Sequence, residues 1–223
     1  MKLTVFGASG GVGRQVLDQA LAQGYDVTAV VRDPARLDGK PVRVVRAADM
    51  AAADVATLLP AVEGADAVLS ALGPPNNAAA GVASRGTKAI IAAMRAAGTR
   101  RLIVVSAAPV GTTPSPGRPN PPRHDPGDGP FLRYVVYPIV KAALRPQYLD
   151  LAVMEDDVRD SGLDWTVLRP VQLTDKPVTG AYRTAVGQNV RGGRYVSRAD
   201  VAHAMLAVLD RPETVEQVLG MAD

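Results

Sequence analysis

The chain of 223 residues contains no cysteine and two histidines, His124 and His203. Without cysteine, thiol catalysis, disulfide bonds and cysteine-ligated metals are excluded. Neither histidine has an acidic partner at ligand spacing, so no metal site is expected. Aromatic residues form 4% of the chain, and the net charge of +3 is spread over interspersed acidic and basic residues. The basic, aromatic surface typical of nucleic-acid-binding proteins is therefore not expected, and the mild basicity is consistent with an anionic small ligand.

Long apolar runs are also missing. No run approaches the ~18 residues that suggest a membrane span. Residues 1–6 lead directly into a predicted strand without the pattern of a signal peptide. We expect a cytoplasmic protein whose partner is a small-molecule substrate rather than a membrane or a nucleic acid. Whether the protein is a monomer or a homodimer stays open.

Short apolar stretches alternate with alanine-rich amphipathic stretches along most of the chain. Strands that are almost wholly apolar are typical of a parallel sheet covered on both faces. Their alternation with helices predicts right-handed βαβ units. We therefore predict a single doubly wound α/β domain of the Rossmann type over residues 1–223. The predicted strands are 2–6, 27–31, 43–47, 67–71, 102–106 and 165–168. The predicted helices are 12–23, 54–62, 83–97, 149–161 and 200–209.

The first predicted strand ends in a glycine-rich turn, Gly7-Ala8-Ser9-Gly10-Gly11-Val12-Gly13. Because the same turn opens the first predicted helix, its glycine pattern is a strong signal of dinucleotide binding. Gly7 permits a tight exit from the strand, Gly10 lets the backbone approach a pyrophosphate, and Gly13 lets the helix pack closely on the sheet. Free amides at the helix N-terminus then attract the phosphate charge.

The residue that ends the second strand distinguishes the two nicotinamide dinucleotides. NAD-specific sites usually place an acidic side chain there, whereas the 2′-phosphate of NADP favours arginine. Arg32 holds this position and Arg36 lies one turn beyond it, so two guanidinium groups are available for one phosphate. Asp33 is either a ribose acceptor or a cap for the turn at Pro34. We predict NADP(H) as the cofactor, with NAD(H) as the alternative.

Two more strand ends complete the predicted cofactor site. Asp49 follows the third strand, where it either accepts a hydrogen bond from the adenine amine or caps the next segment. Small residues after the fourth strand leave room for the nicotinamide side of the cofactor. The predicted contacts are Gly7, Ser9, Gly10, Gly11, Val12, Gly13, Arg32, Arg36, Asp49, Met50, Leu72, Gly73, Ser106 and Pro170.

Residues 109–130 interrupt the alternation with a segment dense in proline and glycine, which is not expected to form helix or strand. This segment leaves the carboxyl end of the fifth strand, where open α/β sheets bind ligands. It is interpreted as a lid over a substrate site, with a surface excursion as the alternative. The apolar and basic stretch 131–145 is expected to pack on the protein. The forms considered for it are a short helical pair over the pocket, a dimer contact and a membrane-surface element.

With these motifs, the sequences V-R-D-x-x-R at 31–36 and S-G-L-x-W-T-x-x-R-P at 161–170 resemble the atypical short-chain dehydrogenases/reductases. The similarity is to the group of biliverdin reductase B, flavin reductases and NmrA-like proteins, and it spans the chain apart from residues 109–145. The resemblance implies that Arg32 and Arg36 hold the 2′-phosphate, that residues 10–12 hold the pyrophosphate and that Ser106 lies beside the nicotinamide. Gln172 replaces a substrate-pocket histidine of the flavin reductase. Glu155 matches an acidic position common in the group, unless it simply faces solvent.

Three functions are compatible with this resemblance. The first is an NADPH-dependent oxidoreductase that transfers hydride to a flavin, a quinone or another conjugated acceptor, with Ser106 orienting the nicotinamide or the acceptor. The second is a non-catalytic NADP sensor of the NmrA type. The third is a carbonyl reductase that uses Tyr137 and Lys141 as the Tyr-x-x-x-Lys pair of typical short-chain dehydrogenases. Pro138 disfavours a helical Tyr137, so we do not expect this pair to share a helix face.

Overall fold

The computed structural model describes residues 1–37, 39–47 and 49–223. Its strands are β1 Lys2–Phe6, β2 Asp26–Val31, β3 Arg43–Arg46, β4 Ala67–Ser70, β5 Arg101–Val105, β6 Asp164–Pro170, β7 Gln172–Thr174, β8 Arg183–Val186, β9 Tyr195–Ser197 and β10 Gln217–Ala222. Its helices are α1 Gly11–Ala22, α2 Val55–Val62, α3 Val82–Ala97, α4 Tyr137–Ala143, α5 Arg145–Arg159 and α6 Arg198–Ala207. Every strand and helix predicted from the sequence is present, within a few residues of its predicted ends.

The main sheet has eight strands in the order β3-β2-β1-β4-β5-β6-β10-β8. Its strands run parallel except β8, which pairs with β10 in the antiparallel direction. Strands β7 and β9 form a separate parallel pair. The strand order reverses between β1 and β4, which is the switch point where doubly wound sheets bind ligands at the carboxyl ends of their strands. The predicted α/β class is confirmed.

Two apolar layers cover the sheet. Leu3 and Val5 of β1 face a layer that includes α1 and α6. Phe6 of the same strand faces a second layer that includes α2, α3 and α5. Since both faces are covered, the central strands are buried almost completely, which explains why they consist of apolar residues with little alternation.

Helix α6 begins at a well-formed cap. The hydroxyl of Ser197 accepts a hydrogen bond from the Asp200 amide at 2.8 Å and donates one to the Asp200 carboxylate, also at 2.8 Å. The carboxylate also accepts hydrogen bonds from the amides of Thr179 and Gly180. This cap therefore fixes the start of α6, and the Asp200 carboxylate ties the loop between β7 and β8 to it.

The proline-rich segment has more structure than its composition predicts. Residues Ala108–Thr112 form a 3₁₀ turn, and Ser115 pairs with Arg118 in an isolated β-bridge. The expectation that 109–130 forms neither helix nor strand was therefore wrong at these two places, because short turns need few backbone hydrogen bonds and tolerate proline at their first positions.

The segment is also attached to its surroundings by several hydrogen bonds. Asp156 of α5 accepts hydrogen bonds from the Ser115 hydroxyl at 3.0 Å and from the Gly117 amide at 2.8 Å. Buried Asp125 accepts one from the amide of Asn189 at 2.8 Å. A π-helical turn at Leu132–Val136 then leads into α4, so the stretch 131–145 forms the short helical pair that was one of the sequence-based options.

Candidate functional site

A cleft of about 550 Å³ opens at the carboxyl ends of β1, β2 and β4. It lies at the switch point of the sheet, where the first βαβ unit presents its glycine-rich turn. The lining includes the predicted residues Gly7, Ser9, Gly10, Arg32, Arg36, Asp49, Met50, Leu72 and Gly73. It also includes residues that the sequence did not single out, namely Val30, Val31, Ala71, Pro75, Ala79 and Val82.

The glycine-rich turn has the geometry of a phosphate cradle. Gly7 has a positive φ of 72°, which L side chains rarely adopt. A Cβ on Gly13 would lie 2.1 Å from the carbonyl oxygen of Gly7, so this position of α1 packs directly on the turn. Helix α1 has no side-chain cap and no acidic residue in its first turn. Its first amides therefore remain open to an anionic group, as a bound pyrophosphate requires.

The basic corner of the cleft is formed by Arg32 and Arg36, which are exposed and line the same wall. Asp33 turns back on its own chain, since its carboxylate accepts a hydrogen bond from the Ala35 amide at 3.1 Å. This contact matches the turn-cap alternative for Asp33. Asp49 lines the cleft, and its carboxylate also accepts a hydrogen bond from the Ala51 amide at 2.9 Å. Both alternatives considered for Asp49 therefore remain compatible with its position.

Ser106 lies at the end of β5 in a buried polar network rather than in the cleft lining. Its hydroxyl donates to Glu155 at 2.6 Å, and Glu155 is fully buried. Arg169 of β6 donates to the two oxygens of this carboxylate at 2.8 and 2.5 Å. Arg159 forms a further ion pair with it. Glu155 is therefore a buried partner of cations and not a solvent-facing residue of α5.

The charge state of Glu155 follows from these neighbours. Burial opposes its ionisation, but the guanidinium of Arg169 beside it holds the pKa of Glu155 below its ordinary value. The carboxylate is thus ionised near neutral pH and accepts the hydroxyl proton of Ser106 in a hydrogen bond. Ser106 keeps its oxygen lone pairs for a second partner, while its hydrogen already has one.

A second cavity of about 350 Å³ lies further along the same edge of the sheet, at the ends of β5 and β6. Its floor comes from Ala107, Pro170 and Gln172, and its cover comes from the helical pair. We call this cover, residues 131–144, the roof. The roof contributes the inward-facing side chains Leu132, Val136, Tyr137, Val140 and Leu144. Gln172, for which the resemblance implied a substrate contact, lines this cavity.

Tyr137 and Lys141 lie one turn apart on α4, contrary to the expectation from Pro138. The backbone of Tyr137 is helical, with φ −65° and ψ −37°. Pro138 is the second residue of α4, which directly follows the π-helical turn Leu132–Val136. The sequence-based argument against a shared helix was wrong, since tertiary packing of the roof outweighs the local preference of the residue before proline.

The surroundings of this pair differ from those of a proton-donating tyrosine and its lysine. Burial and the carboxylates of Asp128 and Asp125 raise the pKa of Tyr137 far above its ordinary value. The ammonium group of Lys141 donates to the carbonyl and the hydroxyl oxygens of Thr112 at 2.7 and 2.5 Å. Burial lowers the pKa of Lys141. Lys141 is therefore engaged with the proline-rich segment, and Tyr137 is a neutral phenol at any physiological pH.

Two arginines near the site were not identified from the sequence. Arg194 lines the second cavity, and its guanidinium lies 5.9 Å from the ring centre of Phe131. Arg198, the first residue of α6, lies against Gly11 at the start of α1. Both come from the last third of the chain, and no motif marks either of them. Both arginines reach the site only through the tertiary fold, which places the segment around β9 near the carboxyl ends of the sheet strands.

The family model for NAD(P)H-binding proteins matches residues 7–212 of this chain. The chain belongs to the NAD(P)H-binding family. Its cofactor is accordingly a nicotinamide dinucleotide, and the cradle and the cleft described above fit that group. Among the described residues, no helix is long and apolar enough to cross a membrane. The described residues likewise contain no cluster of three potential metal ligands among His, Cys, Asp and Glu.

Relatives with known sequences or structures agree with this assignment. The chain is 27% identical to the uncharacterised protein YwnB of Bacillus subtilis over 96% of its own length and 94% of that protein. It is 25% identical to ChuY, an anaerobilin reductase from Escherichia coli O157:H7, with a TM-score of 0.73, covering 100% of this chain and 97% of ChuY. The oxidoreductase YlbE of Lactococcus lactis shares its fold, with a TM-score of 0.79 at 18% identity, covering 100% of this chain and 91% of YlbE. The resemblance stated from the motifs is confirmed.

Proposed function

We propose that this member of the family is an NADPH-dependent reductase of a conjugated acceptor such as a flavin or a quinone. The observation that carries the proposal is the second cavity, which is largely apolar, lies beside the dinucleotide cleft and is covered by the roof. Since β4 and β5 are neighbours in the sheet, a dinucleotide that extends from β2 across β1 and β4 directs its nicotinamide end towards this cavity. ChuY, a relative of similar fold, is an anaerobilin reductase by its name.

The proposed cofactor contacts follow from the cleft. Residues 10–12 bind the pyrophosphate through backbone amides, Arg32 and Arg36 bind the 2′-phosphate, and Asp49 faces the adenine. Leu72 and Gly73 leave the path of the cofactor open between the two cavities. NADPH is preferred over NADH, because two guanidinium groups line the wall and Asp33 is engaged with the backbone of its own turn.

The bound dinucleotide supplies the hydride, and the chain supplies position and environment. The apolar roof residues exclude water and hold a flat acceptor against Pro170 and the end of β5. Ser106, fixed by Glu155, uses its remaining lone pairs to orient the carboxamide of the nicotinamide. No protein acid is required, because a delocalised acceptor spreads the negative charge that it gains with the hydride and takes its proton from solvent once it leaves the cavity.

The polar groups in the acceptor cavity suggest how the acceptor is oriented. Gln172 offers an amide from the floor, Tyr137 offers a neutral hydroxyl from the roof, and Arg194 offers a positive charge at the wall. A planar molecule with a carbonyl-rich edge and an acidic side arm matches this arrangement. FMN and naphthoquinones are suitable test acceptors.

The test is to follow NADPH oxidation with FMN, a quinone and a simple ketone. Turnover of FMN or the quinone supports the proposal. Tight binding of NADPH without turnover of any acceptor points instead to a dinucleotide sensor. Ketone reduction that disappears in Tyr137→Phe points to a carbonyl reductase. The raised pKa of Tyr137 and the contacts of Lys141 with Thr112 argue against this last outcome.

A further inference from the structure

The side chain of Arg198 lies across the first residue of α1. A Cβ built on Gly11 would be 2.8 Å from both Cδ and Nε of Arg198 and 3.8 Å from Cζ. Gly11 therefore leaves a space that the arginine fills. Because α6 packs against α1 and begins at the Ser197 cap, the position of this arginine is set by the fold rather than by a flexible loop.

A cation at this position has an unfavourable environment in the absence of an anion. The N-terminus of a helix carries partial positive charge, and α1 has neither a side-chain cap nor an acidic residue in its first turn to offset it. The anion that accompanies Arg198 is Asp175, whose carboxylate lies 2.6 Å from Nη1. The side chain of Asp175 is 87% exposed, so this ion pair is solvated and easily exchanged for a stronger one.

We propose that Arg198 binds the pyrophosphate of the dinucleotide and exchanges Asp175 for phosphate oxygens when the cofactor enters. This inference rests on the proposed function, since it concerns the same cofactor. The guanidinium lies beside Gly11, the first residue of α1, and its planar donors match phosphate geometry. A doubly charged pyrophosphate would then neutralise the helix end and the guanidinium together.

Arg198 and Arg32 should differ in what they recognise. NADPH and NADH share the pyrophosphate, whereas only NADPH carries the 2′-phosphate. Arg198 should therefore raise the affinity for both dinucleotides equally and leave the choice between them unchanged. Adenosine 2′-monophosphate has no pyrophosphate, so its binding should depend on Arg32 and not on Arg198.

The experiment measures dissociation constants of the full chain for NADPH, NADH and adenosine 2′-monophosphate by calorimetry. Arg198→Gln should weaken both dinucleotides by about tenfold, the size of one charge-assisted hydrogen bond, and leave adenosine 2′-monophosphate unchanged. Arg198→Lys should restore part of the loss. Arg43→Gln removes the same charge at the start of β3, the end of the strand that lies away from the cleft. It should leave all three dissociation constants unchanged.

A second variant tests the exchange of partners. Asp175→Asn removes the competing carboxylate and should tighten both dinucleotides by about twofold to fivefold, the size of an exposed ion pair. If affinity falls in this variant, Asp175 supports cofactor binding and the exchange is wrong. A folded Arg198→Gln protein with unchanged dinucleotide affinity overturns the inference as a whole. So does an equal loss for adenosine 2′-monophosphate, because that result indicates a structural role for Arg198.

The contact with Gly11 allows a double-mutant cycle. Gly11→Ala should weaken NADPH in the otherwise unchanged chain, because the added methyl group displaces the guanidinium. The same substitution should have little further effect in Arg198→Gln, and an equal effect in both backgrounds contradicts the displacement. If the unchanged chain binds neither dinucleotide, the proposed function fails, which is distinguishable from a failure of Arg198 alone.

Discussion

Single side chains near the cleft are proposed to recognise different parts of the same cofactor. Arg32 and Arg36 lie at the wall next to the end of β2, while Arg198 lies at the start of α1. The sequence predicted a contact for the first two because they follow a strand in a known pattern, and both line the cleft. It did not identify Arg198, because the only signal is a glycine whose missing side chain leaves room for a residue from the other end of the chain.

The selectivity for NADPH can be tested at Arg32. Arg32→Asp should raise the dissociation constant of NADPH by roughly 10-fold to 100-fold, since a charge-assisted contact is lost and a like charge meets the 2′-phosphate. Affinity for NADH should change little. Arg43→Asp carries the same charge change far from the cleft and serves as the control in titrations of both cofactors. Equal losses for NADPH and NADH in Arg32→Asp would remove the selectivity argument.

The proposed contact between Arg194 and the acceptor can be tested by substitution. Arg194→Gln should lower kcat/KM for FMN by about tenfold, because one charge-assisted contact to the phosphate is lost. Riboflavin, which has no phosphate, should be reduced as before. The nearby exposed Arg191→Gln is the matched control. A parallel loss for FMN and riboflavin would show that Arg194 shapes the cavity and does not select a charge.

Glu155 is the side chain whose removal should cost most stability. Glu155→Gln leaves the buried guanidinium of Arg169 without its counter-charge, so the free energy of unfolding should fall by about 3–5 kcal/mol. Urea denaturation measures this loss. The exposed Glu213→Gln should leave the urea midpoint where it is, and a similar midpoint for Glu155→Gln would mean that the network contributes little.

At the scale of elements, strands β1 to β6 were predictable from the sequence, whereas β7 to β10 were not. Strands β1, β2, β4, β5 and β6 are largely buried, so their composition alone marks them. The edge strand β3 is mostly exposed, and its short valine run was sufficient to predict it. Strand β8 lies at an edge with mostly exposed residues, and β10 joins the sheet by pairing with β6, a contact that no local pattern encodes. The sequence did not decide among the options for the stretch that contains α4. Its apolar residues line a cavity that only the folded structure reveals.

The attachment of the proline-rich segment can be tested at Gly127. A Cβ there would lie 1.8 Å from the carbonyl oxygen of Asn189, while one at Gly129 would meet nothing within 4 Å. Gly127→Ala should lower the free energy of unfolding by about 1–3 kcal/mol and speed proteolysis within residues 109–130. Gly129→Ala should do neither, and NADPH affinity should be the same in both variants. Unchanged proteolysis in Gly127→Ala would contradict a firm attachment.

At the scale of the whole molecule, the ion network links stability to pH. The folded protein holds the pKa of Glu155 below its ordinary value of 4.5. The unfolded chain therefore takes up a proton first as the pH falls, and this lowers stability. The contribution of Glu155 is complete above pH 4.5 and is lost as the pH falls through the lower pKa of the folded state.

Urea midpoints measured from about pH 3 to pH 7 test this linkage. The unchanged chain should lose stability below about pH 4.5, and Glu155→Gln should show a shallower dependence over the same range. Other carboxylates contribute equally to both proteins, so the difference between the two curves belongs to Glu155. Parallel curves would contradict a depressed pKa for this residue.

The origin of the two halves of the site has an evolutionary consequence. The contacts proposed for the reductant come mainly from strand ends and the first helix, which also hold the sheet together. The proposed acceptor cavity takes five of its lining residues from one stretch, residues 132–144, which lies outside that framework. Substitutions within this one stretch are therefore sufficient to change the proposed acceptor, while the strand ends that form the proposed dinucleotide site stay as they are.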